Sequence, residues 1–414
     1  MNSKAMPAPA STVPFFTQAE SFERLWPRLS AYLDEVCESG TYSNGPKTAE
    51  LEAALRAYTG ARHAIAVGNG TDALVLLLRA AGIGSGDEVI VPAFSFFASA
   101  SSVALVGAVP VFVDVDPLTY NLDPAALEAA VTERTKAVMP VHLFCQPADM
   151  TAVLTVAERH GLLVLEDSAE GIGMRLNGRH TGLIGAGGVL SFFPTKTLGA
   201  LGDAGMVLTD DDALAGAVQR LRDHGRPALR AASTRAPAPA PAQTPAPAPA
   251  PAARAEYARQ GELAGTNSKM DELQAAALLT KLTTLDDDIR RRAVLADAYT
   301  RRLRGIPGVR RLPTVVERGE PVDPVFYVYL IETDRRDALV SHLAAAGIGT
   351  ETYYPLPLHL QPCFAHLGHQ EGDFPHAEAA SHRTVALPLY PELTLARLGR
   401  VCDAVRSFFT GSTS

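Results

Sequence analysis

A single lysine, Lys196, stands in the stretch SFFPTKTLGALGDAG, between a strand-like Ser-Phe-Phe segment and a glycine-rich loop. A cation at the end of a buried strand has three interpretations: a solvated loop side chain, a clamp for an anion, or an amine kept for covalent chemistry. The third is chemically specific, because a lysine amine forms Schiff bases with carbonyl compounds. The choice depends on which other groups the fold brings to the same place.

Two carboxylates, Glu166 and Asp167, end the apolar run LLVLED. Ligands of open α/β sheets bind at the carboxyl ends of the strands, so a polar group here favours a binding site. Successive side chains of a strand face opposite ways, so only one of the two carboxylates need point into a pocket. A cap for the following helix is the alternative interpretation.

A phosphate site is predicted in VGNGTDAL, where Gly70 and Thr71 lie at a turn from strand to helix. Backbone N–H groups and a hydroxyl at a helix N-terminus suit an anion, although Gly-Asn-Gly also fits a plain turn. The next strand is followed by PAFSFFASAS, whose phenylalanines are core residues or, for one such as Phe96, a face for stacking on a planar ring.

Four groups each follow a different predicted strand: the phosphate cradle, the aromatic face, the carboxylate and the lysine. Together they predict a site for a single ligand. Pyridoxal 5'-phosphate has the phosphate, the planar ring, a ring nitrogen that a carboxylate keeps protonated, and an aldehyde for a lysine. A free lysine amine has a pKa of about 10.4, which must fall for attack at neutral pH. We expect burial near another cation to lower the pKa of Lys196.

The elements that position these groups are those of an α/β fold. From about residue 61 to residue 205, short β-rich runs alternate with helical runs, which predicts a mostly parallel sheet covered on both faces. Alternating Ala and Pro at 231–253 predict an extended, disordered insertion. A long helical stretch follows, with Asn267 or Ser268 as its N-cap, and the remaining strands and helices predict a smaller α+β domain. The predicted domains are 1–284 and 285–414.

Composition excludes several classes of protein. The 414 residues carry a net charge of −8 without a basic run, which disfavours nucleic-acid binding. No stretch approaches the roughly 20 apolar residues of a membrane span, and the N-terminus lacks the apolar core of a signal peptide. Four scattered cysteines lack ligand spacing. We therefore expect a cytoplasmic protein with no disulfides, metal ion, membrane partner or nucleic-acid partner.

The stretch SFFPTKTLGALGDAG resembles the lysine motif of the DegT/DnrJ/EryC1/StrS aminotransferases, which make amino sugars on nucleotide-diphosphate carriers. The similarity extends from YSNGPKTAELEAALRAYTG to FPHAEAASHRTVALPLYPELT, with the motifs in the family's order. It implies fold type I of the pyridoxal-phosphate aminotransferases: a mixed, mostly parallel seven-stranded sheet in a large domain, and a smaller C-terminal α+β domain.

The resemblance also implies roles for single residues. Lys196 would be the Schiff-base lysine and the catalytic acid and base, and Asp167 would hold the pyridine nitrogen. The other implied cofactor contacts are Gly70, Thr71 and Ser191 at the phosphate, Phe96 on the ring, and Glu170, where the family usually carries Gln or His, near the ring hydroxyl. Asn267 resembles the asparagine that reaches the phosphate of the neighbouring subunit, which implies a homodimer with shared sites.

The substrate side is implied by TYYPLPLHLQP, where Tyr353, Tyr354 and His359 resemble the wall that faces the sugar. Packing residues are the alternative interpretation of these three. Arg222 and His224 in LRDHGR are candidates for a cationic groove. Besides Glu170, three other departures from the family pattern are Lys269 in place of an arginine, Cys145 in place of a glycine, and the Ala-Pro insertion.

The implied reaction moves an amino group from L-glutamate or L-glutamine to a keto carbon of a nucleotide-diphosphate-linked deoxy-hexose, for amino-sugar and antibiotic biosynthesis. A cyclitol ketone is an alternative acceptor. The dehydratase branch of the family has histidine in place of the lysine, so Lys196 argues against it. A regulatory protein that binds pyridoxal phosphate would not need Lys196, and it would need a nucleic-acid surface.

Overall fold

The computed structural model describes residues 12–227 and 260–411. The insertion predicted at 231–253 lies outside the described residues. Within the described part, no helix is both long enough and apolar enough to cross a membrane.

The described helices are α1 (Ala19–Ser39), α2 (Pro46–Thr59), α3 (Gly70–Ala80), α4 (Ala98–Leu105), α5 (Pro124–Ala129), α6 (Met150–His160), α7 (Asp212–Leu221), α8 (Glu272–Leu282), α9 (Leu285–Leu303), α10 (Arg336–Ala345), α11 (Pro375–Arg383) and α12 (Leu395–Thr410). The described strands are β1 (His63–Val67), β2 (Glu88–Pro92), β3 (Val109–Val113), β4 (Thr135–Val138), β5 (Leu163–Asp167), β6 (Arg175–Leu176), β7 (Arg179–His180), β8 (Gly187–Ser191), β9 (Gly205–Thr209), β10 (Val322–Asp323), β11 (Tyr329–Glu332) and β12 (Thr384–Leu387).

Seven strands form the central sheet, in the order β1-β9-β8-β5-β4-β2-β3. β9 runs antiparallel to both of its neighbours, and the other neighbouring pairs are parallel. Every residue of β2 and of β9 is buried, so these strands are covered on both faces, as the apolar runs predicted. The predicted α/β fold with a mixed, mostly parallel seven-stranded sheet is confirmed.

The connection from β1 to α3 shows how local sequence sets an element that positions the site. The Asn69 side chain caps α3 by accepting the Asp72 N–H at 2.8 Å. Buried leucines of α3, such as Leu74 and Leu77, belong to the main core cluster. Shortly after the helix ends, Gly82 adopts a φ of 76°, which a residue with a side chain rarely adopts.

The C-terminal part contains a second apolar cluster. The antiparallel pair β11 and β12 packs with residues of α9, α10 and α12, among them Tyr299, Leu339 and Leu398. A small sheet in the order β10-β6-β7 was not predicted, because strands of two residues are too short to show alternation. The domain boundary between residues 284 and 285 stays a prediction; it coincides with the break between α8 and α9.

The predicted N-cap of the long helical stretch is wrong. The stretch is divided into α8 and α9, and α8 begins at Glu272, with Asp271 as its N-cap residue and without a side-chain cap. The Glu272 carboxylate instead caps α2, since it accepts the backbone N–H groups of Gly45, Lys47 and Thr48 at 2.8, 2.7 and 2.9 Å. An acidic residue in a first turn can serve a neighbouring helix, which local sequence does not reveal.

Candidate active site

A cavity of about 620 Å³ lies where the parallel strands of the central sheet end. It is formed by the start of α3, the segments after β2, β4, β5 and β8, and three tyrosines from the C-terminal part of the chain. The lining residues are Asn69, Gly70, Thr71, Asp72, Leu74, Ser95, Phe96, Ala98, Val141, Leu143, Asp167, Ala169, Glu170, Ser191, Phe193, Thr195, Lys196, Asp203, Ala204, Tyr327, Tyr353 and Tyr354. This is the edge of the sheet at which ligands of α/β proteins bind.

Asp167, the last residue of β5, lines the cavity although it is only 4% exposed. Its Oδ2 accepts the Ser99 hydroxyl at 2.7 Å, and its Oδ1 accepts the Ala169 N–H at 3.1 Å. The Ser99 hydroxyl also lies 2.9 Å from that of Ser95. These contacts hold the carboxylate in one orientation, as a group that binds a protonated ring nitrogen requires.

Glu166 faces the opposite side of β5 and is completely buried. It accepts the Gly182 and Gly185 N–H groups at 2.8 and 2.6 Å, and His142 Nε2 lies 2.8 Å away. Nδ1 of His142 accepts the Ala148 N–H, so the ring proton is on Nε2 and is donated to Glu166. Of the two carboxylates, Asp167 lines the cavity and Glu166 does not, consistent with the alternation of side chains along a strand.

The start of α3 lies against Ser191 at the end of β8. A Cβ atom on Gly70 would lie 2.8 Å from Ser191 Cβ and 2.9 Å from its Oγ, so a side chain here would clash with Ser191. Gly70 and Thr71 are in the first turn of α3, where backbone N–H groups have no partner within the helix. The arrangement offers N–H and hydroxyl donors at the positive end of a helix dipole.

Lys196 and Glu170 form an ion pair inside the cavity, with 3.2 Å between Nζ and Oε1. Glu170 also accepts the Phe144 N–H at 2.8 Å and the Tyr354 hydroxyl at 3.4 Å. The lysine Nζ lies 4.3 Å from the centroid of the Tyr327 ring.

The environment of Lys196 differs from the prediction. Burial lowers the pKa of Lys196, but the charges of Glu170, Tyr327 and Asp167 outweigh burial, so this pKa lies above its ordinary value. The expected lowering by a neighbouring cation is wrong for this arrangement, because the groups beside the amine are carboxylates and a phenol. Burial and the charge of Glu170 also raise the pKa of Tyr354, so its hydroxyl keeps its proton.

The residues present fit pyridoxal phosphate. The first turn of α3 approaches Ser191 this closely because residue 70 has no side chain, and Gly70, Thr71 and Ser191 all line the cavity. A fixed carboxylate, Asp167, and a primary amine, Lys196, line the same cavity. Phe96 lines it as well, with its side chain 57% exposed and its ring 6.1 Å from that of Tyr354.

The tyrosines of the predicted sugar-side wall are brought to the cavity, and His359 is not. Tyr353 and Tyr354 line the cavity. His359 is 1% exposed and lies 3.2 Å from Glu378, with its ring 4.7 Å from that of Phe374. Burial lowers the pKa of His359. In this chain, the packing interpretation therefore describes His359.

Asn267, Arg222 and His224 also lie outside the lining of the cavity. Asn267 is exposed, and its Oδ1 accepts the Lys269 ammonium at 2.5 Å. Arg222 is buried and donates to Glu52 and to the Ala66 carbonyl at 2.7 and 2.6 Å, so it does not form part of a cationic groove. His224 is exposed, with a φ of 58°.

Sequence reasoning missed Ser99, Tyr327 and Thr195. Ser99 lies in the first turn of α4, and the serine-rich ASASS segment could have suggested a partner for Asp167. Tyr327 Oη lies 3.1 Å from Thr195 Oγ1 and 3.3 Å from Tyr353 Oη. Tyr327 lies in VFYVYLIET, a segment with the composition of a strand, and nothing in that segment distinguishes Tyr327 from its neighbours.

Comparisons with known proteins agree with this geometry. Residues 27–406 match the sequence profile of the DegT/DnrJ/EryC1/StrS aminotransferase family. The chain is 43% identical over 400 residues to a pleiotropic regulatory protein of Geobacillus stearothermophilus, covering 96% of this chain and 98% of that one. It is 39% identical over 396 residues to the dTDP-3-amino-3,4,6-trideoxy-alpha-D-glucose transaminase of Streptomyces venezuelae, covering 96% of each. The crystal structure of S. venezuelae DesV with a ketimine intermediate superposes with a TM-score of 0.85 at 39% identity, covering 96% of this chain and 99% of that one.

Proposed function

Because the chain belongs to the DegT/DnrJ/EryC1/StrS family and is a pyridoxal-phosphate-dependent aminotransferase, we propose that it moves an amino group from L-glutamate to a keto carbon of a nucleotide-diphosphate-linked deoxy-hexose. The observation that carries the proposal is the cavity in which a lysine amine, a fixed carboxylate and a helix N-terminus meet. The S. venezuelae relative bears the name of a transaminase of such a sugar nucleotide.

Four residues would hold the cofactor on one side of the cavity. Gly70, Thr71 and Ser191 would bind the phosphate, and Asp167, which the Ser99 hydroxyl holds in one orientation, would keep the ring nitrogen protonated. When bound, pyridoxal phosphate supplies an aldehyde that carries the amino group and a ring that accepts electrons. Phe96, which lines the cavity, would offer an aromatic face for stacking on the ring.

Lys196 would have two tasks in this proposal: its amine would hold the cofactor covalently, and its Nζ would hold and return a proton during amino transfer. Glu170 accepts a hydrogen bond from Nζ at 3.2 Å and keeps the amine directed into the cavity. The Tyr354 hydroxyl donates to the same oxygen, Glu170 Oε1, so Tyr354 of the sugar-side wall and Lys196 share one acceptor.

The charges of the cavity support a homodimer. Among the described residues that line it, Lys196 is the one lysine or arginine, whereas Asp72, Asp167, Glu170 and Asp203 carry carboxylates. A cofactor phosphate and a nucleotide diphosphate would add further negative charge, which cations and hydrogen-bond donors of a second subunit would help to stabilise. We propose that Asn267, exposed and outside its own cavity, completes the site of the neighbouring subunit.

The test of amino transfer uses the protein loaded with pyridoxal phosphate. Adding L-glutamate should remove the absorbance band of the lysine-bound cofactor, and a nucleotide-linked keto-hexose should restore it. The Lys196→Ala variant should show neither change. A protein that is unresponsive to both glutamate and glutamine, or a Lys196→Ala variant that turns over at the wild-type rate, would refute the proposal. Restoration by a keto-cyclitol alone would assign the alternative acceptor.

The test of the shared site mixes two inactive variants, Lys196→Ala and Asn267→Ala. Each mixed dimer has one site with both defects and one intact site, so random reassortment should restore about a quarter of the wild-type activity. If mixing restores no activity although mixed dimers form, Asn267 serves its own subunit. If Asn267→Ala is fully active by itself, Asn267 serves no site.

A further inference from the structure

The loop that carries Lys196, residues 193–203, is held from outside the cavity by two side chains of α8. The Lys281 ammonium donates to the Gly199 carbonyl, and the Leu201 N–H donates to Gln274 Oε1 at 2.9 Å. Residues 274 and 281 are seven positions apart in the sequence, which places them on the same face of a helix, about two turns apart. This face of α8 is therefore directed at the loop.

The surroundings of Lys281 disfavour its charged form unless a hydrogen bond or an opposite charge stabilises that form. Burial lowers the pKa of Lys281 to about 8, opposed by the charges of Asp288 and Glu392 and reinforced by that of Arg292. Within the described part of the chain, the Nζ of Lys281 makes its one hydrogen bond to the Gly199 carbonyl. Lys281 is partly buried, and an amine taken out of water is costly unless it is paired. The partner of this amine is the Gly199 carbonyl, in the loop that carries Lys196.

The contact reaches Lys196 through a tightly packed turn. A Cβ atom on Gly199 would lie 2.3 Å from the Pro194 carbonyl oxygen, so the two peptide groups pack directly against each other. The Ala200 N–H donates to the Phe192 carbonyl at 2.8 Å, and the Lys196 N–H donates to the Phe193 carbonyl at 2.8 Å. A displacement of Gly199 is thus transmitted to Pro194, two residues before Lys196.

We propose that Gln274 and Lys281 are positioning residues that hold the Lys196 amine at the cavity, acting through Leu201 and Gly199. The inference rests on the proposed role of Lys196. Neither Gln274 nor Lys281 lines the cavity, so their loss changes the placement of the amine and leaves Asp167 and the first turn of α3, which lie outside the loop, in place.

The first test measures hydrogen exchange in the cofactor-free protein by mass spectrometry. Lys281→Met keeps the length of the side chain and removes the donor, and Lys136→Met, at an exposed lysine of β4, is the control. In Lys281→Met, we expect amides of residues 193–203 to exchange about tenfold faster, since a net hydrogen bond of this kind is worth about a factor of ten. The urea midpoint should stay within error of the wild type, because an unfavourably buried amine is removed together with its hydrogen bond.

The second test measures kinetics of the loaded enzyme. In Lys281→Met, kcat should fall about tenfold or more while the KM values of donor and acceptor stay within about twofold, because binding groups are untouched. Lys281→Arg, which keeps a donor, should recover part of the rate. Gln274→Leu removes the second contact and should show the same local exchange and the same loss of kcat. If Lys281→Met does not fold, Gln274→Leu is the variant that tests the positioning role.

The outcomes separate this inference from the proposed function. Faster exchange confined to the loop, together with a lower kcat, supports the positioning role. Wild-type exchange in the loop, uniformly faster exchange with a lower urea midpoint, or an unchanged kcat each overturns it. If Lys196→Ala is inactive while Lys281→Met and Gln274→Leu are not impaired, only the inference fails. If Lys196→Ala is fully active, the proposed function fails.

Discussion

Replacing Glu170 with glutamine should lower the pKa of Lys196 in the cofactor-free protein. Glu170 is the first of the groups that raise this pKa, and its Oε1 lies 3.2 Å from the amine. At an effective dielectric constant of about 20, Coulomb's law gives an attraction of about 5 kcal/mol at the observed separation. The substitution removes this attraction and leaves burial, which favours the neutral amine.

Glutamine also changes the hydrogen bonds. In the wild type, the Glu170 carboxylate accepts the Phe144 N–H at 2.8 Å. In Glu170→Gln, the amide oxygen must take this position to accept the same N–H. The amide NH₂ group then faces Lys196 and the Tyr354 hydroxyl, which are themselves donors. Both effects disfavour the ammonium form of Lys196.

The assay is acylation of the cofactor-free protein with a small amine-reactive reagent over a range of pH, with the modified fraction of Lys196 read by peptide mass spectrometry. Only the neutral amine reacts, so the midpoint of the profile reports the pKa. We expect a lower midpoint for Glu170→Gln than for the wild type. The control is Glu378→Gln, which removes a buried carboxylate that contacts His359 outside the cavity. A midpoint that is unchanged or higher in Glu170→Gln would refute the electrostatic account of Lys196.

Three further predictions concern stability and cofactor binding. Glu272→Ala removes the acceptor of the Gly45, Lys47 and Thr48 N–H groups, so the free energy of unfolding in urea should fall by about 3 kcal/mol; a loss below about 0.5 kcal/mol would contradict the capping role. Gly70→Ala places a Cβ atom 2.8 Å from that of Ser191, whereas Gly84→Ala meets only the Val106 carbonyl at 3.7 Å. The first should weaken pyridoxal-phosphate binding about tenfold or more in a fluorescence titration, and equal affinities would exclude a phosphate site at Gly70. Burial lowers the pKa of His180 from 6.5 to about 4, so the unfolded state binds more protons between these values and stability falls as the pH drops from 6.5 towards 4. The loss should reach at most about 3 kcal/mol and should be absent from His180→Gln; the same acid slope in both proteins would contradict it.

The site residues that could be predicted from the sequence are those at the end of a strand or at the start of the helix that follows a strand. Asp167 ends β5, Ser191 ends β8 and Gly70 begins α3, so the alternation of strand and helix already places them at one edge of the sheet. For the same reason, the fold class and the mixed seven-stranded sheet could be predicted, the latter with the help of the family resemblance.

The remaining features depend on contacts between distant parts of the chain. Tyr327 meets Thr195 across 132 positions, and Glu272 caps a helix that begins more than 200 positions earlier. Neither contact leaves a local pattern. The raised pKa of Lys196 shows the same limit, since the balance between burial and neighbouring charge is set only when the cavity is assembled.

The central claim is that this cavity transfers an amino group to a nucleotide-linked sugar. The most direct measurement supplies ¹⁵N-labelled L-glutamate with a panel of dTDP- and UDP-linked keto-hexoses and follows the label in the products by NMR and mass spectrometry. We expect ¹⁵N bonded to a ring carbon of one sugar nucleotide, with none formed by Lys196→Ala. Label that leaves glutamate but appears in no sugar nucleotide, or label transfer that persists in Lys196→Ala, would contradict the proposed function.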